Sequence, residues 1–210
     1  MHLTPAKRGG VPARALRDRQ AIREQFRSLL EESRVIPSVH ALEDLPAACE
    51  SPSKLIFLLY GAPLTVPTLA SQVLKANKLP VANLDFFTGF ARDNSAIEFL
   101  AAAGMVGVIS THKDALRAAR ANGMLAIQRT FALDSTALAN SIRALEDFTP
   151  DVIELIPAVA APFGISLVRS VRPELPVIGC GLVRSLRQIH RLVRQGILSV
   201  STSDPSLWVV

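Results

Sequence analysis

The 210 residues are 49% hydrophobic and 20% charged, enough apolar material for one sizeable core and too much for a disordered chain. The longest uncharged stretch, 155–168, is broken by Pro157, Pro162 and Gly164, and the basic N-terminus has no apolar signal region, so neither a membrane span nor a secretory leader is expected. Cys49 and Cys180 have no CxxC spacing and no neighbouring histidine cluster, which makes a reduced cytoplasm without a structural metal the default.

In chain order, residues 1–34 come first as a basic arm and helix. Residues 1–30 hold seven of the 23 Lys/Arg and two of the 18 Asp/Glu, so the whole net charge of +5 lies there. Leu16, Ile22, Phe26, Leu29 and Leu30 mark one amphipathic helix over 13–34. Its charge suits RNA, an anionic membrane surface or an acidic partner, and equally a solvated helix face. From Val35 a rhythm begins. Short apolar β-runs are expected at 35–39, 55–60, 81–84, 106–109, 125–128, 152–156, 177–179 and 198–200. Helical patterns lie between them at 41–50, 64–77, 92–103, 113–122, 135–148, 162–171 and 182–195, and a short turn follows at 204–208.

Alternation of strand and helix implies a parallel sheet with crossover helices, and near-continuous apolar strands imply that both sheet faces are covered. Eight such units predict an α/β fold of the compact (β/α)8, TIM-barrel type over 35–210, with an extra N-terminal helix and no room for a second domain. Function in such barrels sits where strands end. The ends after the seventh and eighth strands read Gly179-Cys180-Gly181 and Ser201-Thr202-Ser203, small residues suited to an anion cup of backbone N–H groups, although each alone is an ordinary turn signal. Other strand ends carry Tyr60-Gly61, Asn83 with Asp85, Ser110-Thr111-His112, Gln128-Arg129 and Glu154. Asp85, Arg129 and Glu154 interrupt apolar runs, where an unpaired charge is costly. They either pair with one another, or Asp85 and Glu154 accept from ligand hydroxyls while Arg129 faces a phosphate. No strand ends in lysine, so Schiff-base chemistry has no evident nucleophile. A lone His112 reads as a helix cap or loop contact before it reads as a catalyst. No Asp/Glu/His spacing marks a metal site, and no cofactor is expected.

The blocks FLLYG at 57–61, LDFFTGFARD at 84–93, IST at 109–111, IQRTFALDS at 127–135, PDVIELIP at 150–157, Gly181-Leu182, and VSTS at 200–203 with Leu207-Trp208 occur in that order. From about residue 34 to 208 the chain resembles the glycerol uptake operon antiterminator regulatory protein family. The resemblance implies a cytoplasmic, non-enzymatic (β/α)8 regulator that binds glycerol 3-phosphate as effector and acts on the mRNA leader of a glycerol-utilisation operon, preventing premature termination. It puts the ligand phosphate at Gly179, Cys180, Gly181, Ser201, Thr202 and Ser203, and the glycerol at Asp85, Gln128, Arg129 and Glu154. It also exposes departures: Asn83-Leu84-Asp85 stands where the family has His-Ile-Asp, Ala158 where it has glycine, and Cys180 where it has the first of two glycines. A positive φ at Cys180 would strain the cup.

Arg184, Arg187, Arg191 and Arg194 are spaced three, four and three apart before the eighth strand, with no acidic residue between Glu174 and Asp204. The stripe reads as an ordinary solvated face or as a track for the RNA backbone, guanidinium forks matching phosphates. Scarce aromatics give little for base stacking. The apolar stretch 158–168 would bury well against a partner, possible in a homodimer. The rival from another class is a phosphosugar-handling barrel enzyme, isomerase- or aldolase-like, with Asp85 or Glu154 as acid/base.

Overall fold

The computed structural model describes residues 13–209, with side chains from Gln20 onward; the first dozen residues, with Lys7 and Arg8 of the basic arm, lie outside the described residues. Eight parallel strands close into a barrel in chain order: β1 (Val35–Val39), β2 (Leu55–Leu58), β3 (Leu79–Asn83), β4 (Gly107–Ser110), β5 (Leu125–Phe131), β6 (Val152–Ile156), β7 (Val177–Cys180) and β8 (Val200–Thr202). The ring shuts where β1 pairs β8, Val35 opposite Val200 and Pro37 opposite Thr202. The expected (β/α)8 barrel is therefore the fold.

Two apolar layers hold it, and period-2 alternation sorts residues between them. One side chain of each pair points inward: Ile36, Phe57, Val81, Ile109, Ile127, Val152 and Ile178 fill the barrel. Their neighbours, among them Val35, Ile56, Ala82, Val108, Ile153 and Val177, face the surrounding helices. The helix α1 (Ala13–Glu32) closes the floor. Phe26 and Leu30, 3% and 0% exposed, join the inner cluster. The charges of α1 are drawn into the same contact: Arg23 Nε donates to Asp151 Oδ1 at 2.9 Å, and Arg27 bonds Glu31 at 3.0 Å and the Glu174 carbonyl at 3.4 Å. Among the described residues of α1, Arg23 thus anchors the helix to the barrel, while Arg27 stays largely exposed.

Outside the barrel lie α2 (Leu45–Glu50), α3 (Val66–Lys75), α4 (Asn94–Ala102), α5 (Lys113–Ala121), α6 (Ser135–Arg143), α7 (Ala161–Val171) and α8 (Leu186–Arg194). Several begin later than the apolar pattern suggests, for local reasons. The helix expected from 41 starts at Leu45, after a 3₁₀ turn, with Pro46 in its first turn. The one expected from 182 starts at Leu186, because Ser185 is the N-cap: extended, its Oγ accepting from the Gln188 N–H at 3.3 Å. Strand ends shift as well. β5 runs three residues past 128, and β8 spans 200–202 instead of 198–200. Both shifts matter at the mouth.

Candidate functional site

At the C-terminal end of the strands a cavity of about 400 Å³ opens between β1, β5, β7 and β8. Cys180, Gly181, Ser201, Thr202 and Ser203 line it, as does Arg129. The two small-residue ends expected to converge do so. Because β7 and β8 each reach further than expected, Cys180 and Ser201 are strand residues facing each other across the ladder, and the loop parts of the cup are Gly181–Val183 and Ser203–Asp204.

Backbone conformation shapes the first of these loops. Gly181 has φ +78° and Leu182 φ +58°, so two consecutive residues are left-handed. A Cβ on Gly181 would also approach Ile156 Cγ1 to 3.2 Å, so glycine is needed there twice over. Cys180 is absent from the positive-φ positions: the strain anticipated for it falls on Leu182, whose side chain is 63% exposed. The β8 half is set by a turn. Thr202 Oγ1 accepts from the Asp204 N–H at 3.2 Å, Asp204 Oδ1 accepts from the Ser206 N–H at 3.0 Å, and buried Trp208 donates to the Thr202 carbonyl at 2.8 Å.

Beneath the cup runs a buried polar network. Arg129 Nε and Nη2 donate to Glu154 Oε2, each at 2.8 Å, and Ser201 Oγ donates to Glu154 Oε1 at 3.0 Å. With its carboxamide oriented to suit the guanidinium, Asn83 accepts from Arg129 Nη2 at 2.8 Å and Nη1 at 3.1 Å. Burial alone would lower the affinity of Arg129 for its proton, but the Glu154 charge and hydrogen bond prevail and hold it above the usual arginine value. The guanidinium also packs over the Phe86 ring at 5.3 Å, and Phe86 meets His40 edge-on at 6.0 Å. Burial, and next the nearby Glu154 charge, push the Cys180 thiol far above its normal range, so it is neutral and puts no negative charge into the cup. Accordingly, native protein at pH 8 should resist thiol reagents at Cys180, reacting at least about tenfold faster once unfolded in urea, as mapped by mass spectrometry.

Several expected site residues fall elsewhere. Gln128 does not reach the mouth: Arg129 points inward, so Gln128 points out toward the helices, its Nε2 3.5 Å from Thr130 Oγ1. Gly179 does not line the cavity either: its N–H donates to the Ser199 carbonyl at 3.0 Å, and a Cβ there would meet Ala158 at 3.1 Å. Glu154 is fully buried, engaged by Arg129 and Ser201, and not among the residues lining the cavity; it positions the arginine. Asp85 accepts from Ser110 Oγ at 2.7 Å and the Thr111 N–H at 2.8 Å, bracing the β3 and β4 loops beside the cavity. Charge pairing therefore accounts for Arg129 and Glu154, and only Arg129 also faces the cavity. His112 precedes α5 as its N-cap residue, without a side-chain capping bond.

Ser38, His40, Phe86 and Arg184 line the cavity although strand-end reading passed over them. Ser38 and His40 had a signal, a lone polar residue inside the β1 run and the first residue after it. Arg184 was hidden by the expected helix. It belongs to the loop before α8, and only Arg187, Arg191 and Arg194 share that helix, all exposed. Among the described residues, no group of three His, Cys, Asp or Glu side chains could hold a metal, and no helix is long and apolar enough to cross a membrane.

The structure defines a protein of the closed eight-stranded β/α-barrel class, with an arginine-bearing cavity at its C-terminal mouth. Within that class, the chain belongs to the glycerol-3-phosphate responsive antiterminator family, whose model matches residues 35–208. It is similar to the glycerol uptake operon antiterminator regulatory protein of Listeria monocytogenes str. 4b F2365, with a TM-score of 0.77 and 28% identity over 83% of this chain and 94% of that one. A glycerol uptake operon antiterminator-related protein of Thermotoga maritima MSB8 has a TM-score of 0.76 and 26% identity, covering 84% and 98%. The uncharacterized protein YgcP of Escherichia coli K12 is 28% identical over 87% of this chain and 95% of its own length. Deoxyribose phosphate aldolase of Aeropyrum pernix shares the fold, at TM-score 0.61 and 15% identity over 93% and 96%.

Proposed function

We propose that this protein is a glycerol 3-phosphate-responsive antiterminator that binds the mRNA leader of a glycerol-utilisation operon. The observation that carries the ligand reading is the convergence of the β7 and β8 ends, with Arg129 and Arg184, on one cavity at the place where β/α barrels hold phosphate. The phosphate would lie against the backbone of 181–183 and 203 and the Ser201 and Thr202 hydroxyls, with Arg184 adding charge. The glycerol hydroxyls would face Ser38, His40 and Arg129, a different set from the carboxylates expected from sequence. RNA would track Arg187, Arg191 and Arg194. The loop touching the phosphate leads through Ser185 directly into the helix bearing those arginines. A ligand that favours one arrangement of that loop thereby favours one presentation of α8, which is the differential affinity a response requires.

The enzyme alternative draws on the aldolase likeness, which is one of fold. Neither Asp85 nor Glu154, its candidate acid/base groups, is among the residues lining the cavity, and no described lysine lines it.

Calorimetric titration tests the ligand. Glycerol 3-phosphate should bind well above glycerol or inorganic phosphate, and Gly181→Val should weaken it by at least about tenfold, since any Cβ there meets Ile156 and the left-handed turn is lost. A wild-type protein that gives no heat and no melting shift with millimolar glycerol 3-phosphate would refute the ligand assignment.

A further inference from the structure

Away from the mouth cavity, large apolar side chains stand exposed around the start of α7: Leu133 at 75%, Val159 at 52%, Phe163 at 77% and Leu167 at 40%. Phe163 and Leu167 line a groove of about 530 Å³ with Ala132, Leu138, Ala160 and Pro162, while Leu133 lies between two lining residues, Ala132 and Asp134, and Val159 immediately precedes Ala160. Pro162 and Val159 carry the surface on toward α8, where Val183 and Leu192 line a second, mixed hollow with Gln188, Arg191 and Gln195.

We propose that this face joins two copies of the chain in a two-fold dimer. Area is the first argument. Scaled from whole side-chain areas, the four exposed residues present on the order of 400 Å² of apolar surface. That is about half of the ~800 Å² each partner contributes to a standard interface, and suits the apolar centre of one. Charge is the second. The one charged residue lining the groove is Asp134, whose carboxylate already accepts from the Ala137 N–H at 2.7 Å as the N-cap of α6. A second copy therefore brings only one carboxylate to each groove, already bonded at the N-terminus of α6, whereas a highly charged partner finds a single counter-charge at most. Shape is the third. A projecting Phe163 and the groove it borders lie on the same face, so a two-fold axis places the phenyl ring of each copy in the groove of the other. The dimer does not depend on the RNA reading. If that reading holds, pairing through α6 and α7 also sets two α8 arginine rows in one assembly, and an RNA spanning both gains effective concentration.

Sedimentation velocity on the full chain, from low to high micromolar, decides it. The wild type is expected at twice the 22.6 kDa chain mass. Phe163→Asp and Leu133→Asp should each raise the dimer dissociation constant at least a hundredfold while circular dichroism stays as in the wild type and melting matches that of wild type diluted to monomer. Leu64→Asp, at a position 94% exposed beside β2 and across the barrel from β6, should leave the dimer intact. A wild type that sediments as a monomer throughout, or a dimer that survives whichever of the two groove variants folds, overturns the proposal.

Discussion

Replacing Glu154 by leucine is expected to destabilise the protein by about 3–5 kcal/mol in urea unfolding, because it strands a guanidinium that is 8% exposed with its carboxylate gone. Asn83 would still accept from Arg129, but a neutral amide cannot balance a buried charge. The reverse change, Arg129→Met, should also destabilise, since it leaves the Glu154 carboxylate buried with Ser201 as its remaining partner. The double variant should recover most of the loss, since two apolar groups of similar volume remove both desolvation penalties. If Glu154→Leu costs under about 1 kcal/mol, the ion pair does not position Arg129 as described. The ligand adds a second readout. Arg129 faces the cavity and Glu154 does not, so in the refolded double variant weakened glycerol 3-phosphate binding should trace to Arg129.

Changing Arg187, Arg191 and Arg194 together to glutamine should weaken binding to the leader RNA on the order of 100-fold at low salt, with the slope of log affinity against log salt falling by about 2, near 0.7 for each lost single-strand phosphate contact. Folding should be untouched, because all three side chains are exposed and none holds a hydrogen bond among the described residues. Arg184→Gln separates the two activities further. Lying on the cavity wall and one residue before the N-cap of α8, it should weaken both glycerol 3-phosphate and RNA. Gel shifts with and without ligand, over a salt series, read these outcomes. An unchanged salt slope in the triple variant would place the RNA elsewhere on the protein.

Much was legible in the sequence because it rests on local periodicity. Eight apolar runs alternating with helical patterns can satisfy their backbone and bury both sheet faces only as parallel β/α units, so barrel class, strand count and the C-terminal location of a site follow from residue order. Ser201 and Cys180 were legible as cup residues because small side chains at the seventh and eighth strand ends have a geometric meaning in such a barrel.

What only the tertiary structure decided is which way each polar residue points and what it meets. A strand alternates its faces every residue, so an end misplaced by one or two positions reassigns every side chain: Gln128 and Gly179 turn out toward the helices while Arg129 and Cys180 turn in. Pairing is equally non-local. Glu154 looked available until Arg129, 25 residues before it, and Ser201, 47 after it, closed on its two oxygens. Residues 180–184 show the division. Their identity implied a tight turn, and the Ser185 cap that frees Arg184 from the helix is local, but the fit of the Gly181–Leu182 bend against Ile156 and the arrival of Arg184 at the cavity wall exist only once the barrel has closed.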